Sequence, residues 1–219
     1  MGSIKLDGST LTSTEISLVS MGEKVEVAID SWPKVDAARD VVEGILERGE
    51  TVYGINTGFG ALVSESISPD DLAELQINLI RSHACAIGEP MSIVDTRAMM
   101  CVRVNSLVKG YSGIQRIVIE QLVTYLNEDI IPVVPRIGSL GASGDLAPLS
   151  HMALALIGEG EVWGDDGPVE TSAKLKEKGY IGVDLAAKDG LSLINGTSQM
   201  CSFLVNVEMR LSNLLPLAD

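Results

Sequence analysis

Residues 138–151 read Gly-Ser-Leu-Gly-Ala-Ser-Gly-Asp-Leu-Ala-Pro-Leu-Ser-His, and they are the most informative part of the sequence. Within it, Ala142 and Gly144 flank Ser143 with almost no side-chain bulk, and glycine permits backbone angles that other residues resist. A tight turn would bring the amide nitrogen of Gly144 onto the carbonyl carbon of Ala142. Attack and two dehydrations, the second across the Ser143 side chain, would give a five-membered ring with an exocyclic methylene. The triplet therefore predicts an electrophile that no standard side chain supplies.

Three other segments accompany this stretch. They are Tyr53-Gly-Ile-Asn-Thr-Gly-Phe-Gly60, Arg81-Ser-His-Ala84 followed by Gly88-Glu-Pro90, and Leu193-Ile-Asn-Gly-Thr197. Ala-Ser-Gly alone is a common loop tripeptide, but four motifs in one order are not expected by chance. Together they resemble the signature segments of the aromatic amino acid ammonia-lyases, and the resemblance covers nearly the whole chain.

The resemblance implies a specific chemistry. Members of the family form a methylidene-imidazolone group (MIO) autocatalytically from the triplet, here Ala142-Ser143-Gly144, and use no metal or nucleotide. The MIO captures substrate electrons and so assists loss of the α-amino group. Tyr53 matches the tyrosine that takes the β-proton, and Asn195 matches an asparagine that hydrogen-bonds near the prosthetic group and the substrate. Asn195-Gly196 is also a strong turn dipeptide, and the two interpretations are compatible.

The substrate prediction depends on Ser82 and His83. Helical spacing from Leu72 places His83 on a buried stripe near a helix end, where a lone histidine is ordinarily a core residue. The resemblance instead implies that His83 contacts the substrate ring. The Ser82-His83 pair resembles the histidine-specific members, which convert L-histidine to urocanate. Phenylalanine enzymes usually carry an aromatic-leucine pair, but tyrosine enzymes also have a histidine, so a tyrosine or phenylalanine lyase or aminomutase stays open.

Two neighbours of the triplet are candidates for supporting cyclisation. Gly141 adds backbone freedom before it. Asp145 follows it, and either caps the coming helix or polarises the cyclisation. His151, further along, is interpreted as structural.

The spacing of the serine, glycine, histidine and cysteine residues does not match the motifs of other common catalytic or binding sites. Ser143 has no glycine at position 145, which excludes a Gly-x-Ser-x-Gly nucleophile elbow. The glycines of residues 54–60 lack the Gly-x-Gly-x-x-Gly order of a dinucleotide site. Two histidines and three scattered cysteines give no metal-ligand spacing.

Charge and composition indicate which classes of molecule the protein can bind. They favour small molecules and other protein chains as partners. The formal net charge is −14 and no basic cluster stands out, which disfavours nucleic acid and anionic membranes. No apolar run is long enough to span a bilayer, and the first residues do not have the apolar core that is typical of a signal peptide. Cys85, Cys101 and Cys201 are widely spaced in apolar stretches and are expected to be reduced core thiols. A cytoplasmic protein is predicted.

The periodicity along the chain predicts a mainly α fold with short strands and glycine-rich loops. Residues 1–28 suggest short strands or turns, and a small hairpin is expected over 158–167. Helices are expected to begin at the Ser31 cap and at Ser68, and to cover residues 95–108, 112–126, 148–156, 171–178 and 195–215. The whole chain, 1–219, is predicted to be one domain, the N-terminal MIO-bearing domain of the ammonia-lyase fold.

Length separates this chain from the family it resembles. Members are more than twice as long as its 219 residues, and most of their central bundle of long helices has no counterpart here. The last helix carries apolar residues that need cover, namely Phe203, Leu204, Val207, Leu211 and Leu214. We therefore expect a homo-oligomer (a tetramer in the family) or a complementing C-terminal chain, and little or no turnover by this chain alone. A non-catalytic folding or assembly module is the alternative.

Overall fold

The described part of the chain is mainly helical, as the sequence predicts, and its short strands pair two by two. A computed structural model describes residues 2–58, 67–140 and 144–218. The helices are α1 (Ser13–Ser20), α2 (Trp32–Glu47), α3 (Leu72–His83), α4 (Ile93–Leu107), α5 (Arg116–Asn127), α6 (Leu146–Leu156), α7 (Thr171–Lys178), α8 (Asp189–Ile194) and α9 (Ser198–Ala218). The strand pairs are β1 (Ile4–Leu6) parallel to β2 (Val25–Val27), β3 (Ile87–Pro90) antiparallel to β4 (Pro135–Ile137), and β5 (Glu161–Gly164) antiparallel to β6 (Gly167–Glu170).

Helix α4 lies at the centre of the fold. It begins after Ser92, whose hydroxyl accepts a hydrogen bond from the Asp95 amide at 3.1 Å and so satisfies one free amide of the first turn. Three consecutive residues, Met99, Met100 and Cys101, are fully buried, which means that neighbours enclose the helix on all sides. Those neighbours are chiefly α1, α5 and α9. Helix α4 also reaches the segment that carries Asn195, because the Arg103 guanidinium donates a hydrogen bond to the Asn195 carbonyl.

The expectation of only strands and turns over residues 1–28 is wrong for helix α1. Strands β1 and β2 do form at its two sides. Between them, the Thr12 hydroxyl accepts a hydrogen bond from the Glu15 amide while the Glu15 carboxylate accepts one from the Thr12 amide. This capping box is written in the sequence as Thr-x-x-Glu and could have been detected there.

The other expected helices form with shifted ends. Ser31 precedes α2 as predicted, but its side chain makes no capping hydrogen bond. Helix α5 begins at Arg116 rather than at residue 112, and α9 begins at Ser198 rather than at residue 195. The hairpin forms from β5 and β6, and α6 and α7 lie where the periodicity places them. Helix α8 was not predicted, since six residues carry too little periodicity to be recognised.

The three cysteines do not share one environment. Cys101 is fully buried in α4, and burial raises the pKa of its thiol to about 12. Cys201 is half-buried and Cys85 is exposed, so the expectation of three core thiols is wrong for Cys85. Cys85 follows the end of α3, where the chain has left the helix whose apolar face is packed.

Helix α9 leaves an apolar face uncovered in the described part of the chain. Leu204 is 68% exposed and Leu214 is 61% exposed, whereas Phe203 is half-buried. Val207 and Leu211 are also exposed, so four of the five residues expected to need cover lie open on this face. Within the described ranges, no helix is both long enough and apolar enough to cross a bilayer.

Candidate active site

The end of the Ala-Ser-Gly triplet meets the asparagine loop through the backbone. The Gly144 carbonyl accepts a hydrogen bond from the Leu140 amide at 3.2 Å, and the Asp145 amide donates to the Gly196 carbonyl at 2.7 Å. Gly144 has a φ of +85°, and a Cβ added to it would overlap the Gly196 carbonyl oxygen. Glycine is therefore required here both by conformation and by space. Gly141, Ala142 and Ser143 lie outside the described residues.

Asp145 caps a different helix from the one expected. Its side chain makes no capping hydrogen bond to α6, which it precedes. Instead, its buried carboxylate accepts hydrogen bonds from the amides of Gln199 and Met200, at 2.7 and 3.1 Å, in the first turn of α9. A negative charge is favourable at a helix N-terminus, so Asp145 ties the triplet to the start of α9. The other carboxylate oxygen has no hydrogen-bond partner among the described residues.

The backbone of Asn195 is fixed by Arg103, a residue that no sequence motif indicates. Arg103 of α4 is buried, and its guanidinium donates hydrogen bonds to the carbonyls of Ser192 and Asn195, the latter at 3.0 Å. Burial lowers the pKa of Arg103 to about 10, against the opposing effect of the Asp145 charge, so the guanidinium stays charged at neutral pH. Asn195 itself ends α8 and is exposed, with its carbonyl fixed by this contact.

Helix α8 is fixed to its surroundings at its first turn. The buried Asp189 carboxylate accepts hydrogen bonds from the amides of Gln115 and Ala186, at 2.9 and 2.8 Å, and from the Gln115 side chain at 2.6 Å. Burial raises the pKa of Asp189, and these hydrogen bonds act in the opposite direction. At Gly190 a Cβ would overlap the Gln76 carbonyl of α3, so α3 and α8 approach closely. Helix α3, which ends at His83, is thereby fixed against α8, which Asn195 directly follows.

The loop that carries Tyr53, described over residues 51–58, packs against α8. Tyr53 is 57% exposed in a turn. The buried Asn56 holds this turn, since its side chain accepts from the Val52 amide at 2.9 Å and donates to the Glu50 carbonyl at 2.8 Å. Gly54, at a φ of +76°, lies so close to Leu191 of α8 that a Cβ would overlap its methyl group. The described part of the loop thus places Tyr53, an exposed residue, next to a glycine that contacts α8, the helix directly before Asn195.

His83 is the last residue of α3 and is half-buried, which corrects its expected place on the buried stripe. Its Nδ1 lies 2.9 Å from the Leu79 carbonyl and 3.1 Å from the Ser82 hydroxyl, which itself donates to the same carbonyl at 2.9 Å. A carbonyl only accepts, so the hydrogen bond to Leu79 assigns a proton to Nδ1. In the neutral ring, Nε2 is then the acceptor that a ligand can meet.

His151 lies in α6 and is half-buried, with no hydrogen-bond partner for its Nε2 among the described residues. Burial lowers the pKa of this imidazole below its ordinary value of 6.5. The unfolded chain therefore binds a proton near pH 6.5 that the folded chain resists. We expect the free energy of unfolding to fall as the pH is lowered through 6.5, and to level off once the pH is below the folded pKa.

Urea unfolding at several pH values between 5 and 7.5 measures this effect. The His151→Gln variant should lose this part of the pH dependence while keeping that of the carboxylates. An identical slope in both proteins would show that His151 titrates alike in the folded and unfolded chains.

The chain is similar to proteins of known activity. The family model described as aromatic amino acid lyase matches residues 11–219. A histidine ammonia-lyase from Geobacillus thermodenitrificans is 50% identical over 198 residues, which are 90% of this chain and 39% of that protein. Among solved structures, a histidine ammonia-lyase from Trypanosoma cruzi is 37% identical with a TM-score of 0.88, covering 95% of this chain and 41% of the other. A tyrosine aminomutase from Streptomyces globisporus is 40% identical with a TM-score of 0.86, covering 92% and 38%.

Proposed function

This chain belongs to the aromatic amino acid lyase family, corresponding to the N-terminal portion of its members, and we propose that it serves to eliminate ammonia from L-histidine to give urocanate. The observation that carries the proposal is the junction of Gly144 with Gly196, which joins the end of the triplet to the Asn195 loop. The chain spans about 39% of the length of the curated histidine ammonia-lyases that it matches. Activity is therefore proposed for residues 1–219 complemented by the rest of a homologous lyase, with little or no turnover by residues 1–219 alone.

The residues at this junction fit an MIO formed from Ala142-Ser143-Gly144. Ring closure joins the Gly144 nitrogen to the Ala142 carbonyl carbon and releases one water, and loss of the Ser143 hydroxyl with its α-hydrogen releases a second. The left-handed backbone at Gly144 and the absence of room for a Cβ support the tight turn that closure needs. The buried carboxylate oxygen of Asp145 that has no partner among the described residues is a candidate to polarise the reacting amides. Gly141 is a candidate to give the backbone freedom on the other side of the triplet. When formed, the MIO supplies an electrophile that draws electrons from the substrate.

Three side chains are assigned roles around the substrate in this proposal. Tyr53 is the base that takes the β-proton, and its exposure in a firmly held turn supports that role. Asn195 hydrogen-bonds the substrate, with its position set by Arg103. His83 orients the substrate ring through Nε2, which can accept a hydrogen bond from an imidazole N–H, while Ser82 helps to fix its ring.

The uncovered face of α9 supports oligomerisation as part of the same proposal. Its exposed leucines and valine would be costly to leave in water, at about 25 cal/mol for each Å². A second copy of this chain, or the complementing part of a homologous lyase, is proposed to cover them.

Tyrosine aminomutation or elimination is the second candidate, since tyrosine aminomutases are 40–41% identical to this chain among the solved structures. Product analysis separates the two. The complemented preparation is incubated with L-histidine and with L-tyrosine, and urocanate, coumarate and β-tyrosine are quantified. We expect kcat/KM for L-histidine to exceed that for L-tyrosine at least about tenfold, which corresponds to about 1.4 kcal/mol, the net contribution of one hydrogen bond. A preference for L-tyrosine would overturn the histidine assignment.

His83→Leu is expected to raise KM for L-histidine about tenfold, because the variant cannot make the proposed hydrogen bond to the substrate ring. His151→Gln, at the other histidine of the chain, is the matched control and should leave KM unchanged. Steady-state kinetics on both variants test this. Equal KM values for His83→Leu and the parent protein would remove His83 from the substrate site.

A further inference from the structure

A cleft lined by positive charge opens beside the asparagine loop, and Asn195 is one of its lining residues. It has a volume of about 270 Å³ and lies between the end of α4, the connection to α5, and α8. Arg103, Lys109 and Lys188 line it together with the hydroxyl groups of Ser106 and Tyr111. No carboxylate is found among the described lining residues. In a chain with 30 acidic and 16 basic residues, such a local excess of positive charge is not the average surface.

The two lysines are unpaired within the described ranges. Elsewhere in the fold, cations such as Arg81 and Arg116 form ion pairs with carboxylates. Neither the Lys109 nor the Lys188 ammonium group has an ion pair or a hydrogen bond to any described residue. Lys188 is also half-buried, and burial lowers the pKa of its ammonium group. A partly desolvated cation without a counter-charge is unfavourable, and an anion in the cleft would relieve that cost.

The third cation, Arg103, is built into the wall of the cleft. Its side chain is only 4% exposed, and its Nε has no hydrogen-bond partner among the described residues. The same guanidinium donates a hydrogen bond to the Asn195 carbonyl, so Arg103 contacts both the cleft and the candidate active site. A buried guanidinium with a free donor is a group that an oxyanion can satisfy.

We propose that this cleft binds a small divalent oxyanion, either inorganic phosphate or the phosphoryl group of a small ester. Three positive charges exceed what a monocarboxylate would neutralise, and lysine ammonium groups bind phosphate oxygens as point charges. The volume of about 270 Å³ suits a ligand of a few heavy atoms rather than a nucleotide. This binding requires neither lyase turnover nor cyclisation of the triplet, although the cleft shares Asn195 and Arg103 with the site proposed above.

Titration calorimetry of residues 1–219 with inorganic phosphate, in a low-salt buffer free of phosphate and sulfate, tests the proposal. We expect saturable binding to one site per chain. Lys109→Gln and Lys188→Gln should each weaken it at least about tenfold. Lys176→Gln is the matched control, because Lys176 is exposed on α7 away from the cleft and should leave the affinity unchanged.

Circular dichroism verifies that each variant is folded. If Lys188→Gln unfolds, Lys109→Gln still tests the proposal, because Lys109 is exposed and its replacement should not disturb the fold. A second titration with glycerol phosphate distinguishes a small phosphate ester from inorganic phosphate. The ligand with the higher affinity is the one that the cleft prefers. Acetate serves as the monovalent probe and should bind at least about tenfold more weakly. Absence of phosphate binding, an undiminished affinity in Lys109→Gln, or acetate binding as tightly as phosphate would each overturn the proposal.

Discussion

Replacing Tyr53 with phenylalanine is expected to lower kcat for L-histidine by a factor of about 10² to 10⁴, the usual contribution of a general base. The phenol is 57% exposed, and the hydrogen bonds of Asn56 to Val52 and Glu50 hold its turn. Removing one hydroxyl should therefore leave the loop and the free energy of unfolding nearly unchanged. Such a split between activity and stability is the signature of a catalytic rather than a packing role.

Steady-state turnover in the complemented preparation measures the effect. Tyr180→Phe is the matched control, because Tyr180 packs at the edge of the core and has no part in the proposed site. It should retain the parent kcat. A Tyr53→Phe variant that keeps more than about a tenth of the parent kcat would assign the β-proton to another base.

Replacing Gly144 with alanine is expected to destabilise the fold by about 3 kcal/mol, because two penalties combine. The backbone has a φ of +85°, where an L side chain is strained by about 1–2 kcal/mol. The added Cβ would also overlap the backbone carbonyl of Gly196, which cannot rotate away as a flexible side chain could. The turn and the asparagine loop would have to separate, with loss of the hydrogen bond from Asp145 to Gly196.

Gly179→Ala isolates the conformational part of this penalty. Gly179 ends α7 at a φ of +76°, and a Cβ there would meet nothing within 4 Å. Urea unfolding of the two variants should therefore differ, with a loss of about 1 kcal/mol for Gly179→Ala. If both variants lose the same amount, the close contact between Gly144 and Gly196 does not constrain the fold.

The sequence predicts the helical class of this fold well, because local patterns decide it. The apolar spacing is sufficient to locate α2 and α3, although the predicted cap Ser31 makes no capping hydrogen bond. The capping box of Thr12 and Glu15 is the local signal that locates α1. The first and last residues of the helices are predicted less accurately. Helix α5, for example, begins without a capping side chain that the sequence could reveal.

The site shows what local patterns cannot supply. Asp145 stands directly before α6, yet its carboxylate binds amides of α9, 54 and 55 residues away. Arg103 reaches the Asn195 carbonyl across a separation of 92 residues. No short-range signal marks either contact, because both are created by the packing of α4, α6, α8 and α9. The motif residues were recognised individually, whereas the buried charges that hold them were not.

The most direct test of the central claim is an intact mass of the chain isolated from the complemented preparation, with peptide mapping of the fragment that contains Ser143. We expect a mass lower by two water molecules, localised to that fragment. The Ser143→Ala variant should have its full unmodified mass, apart from the substitution itself. An active preparation in which the triplet has the mass of plain Ala-Ser-Gly would contradict the proposal that these residues form the electrophile.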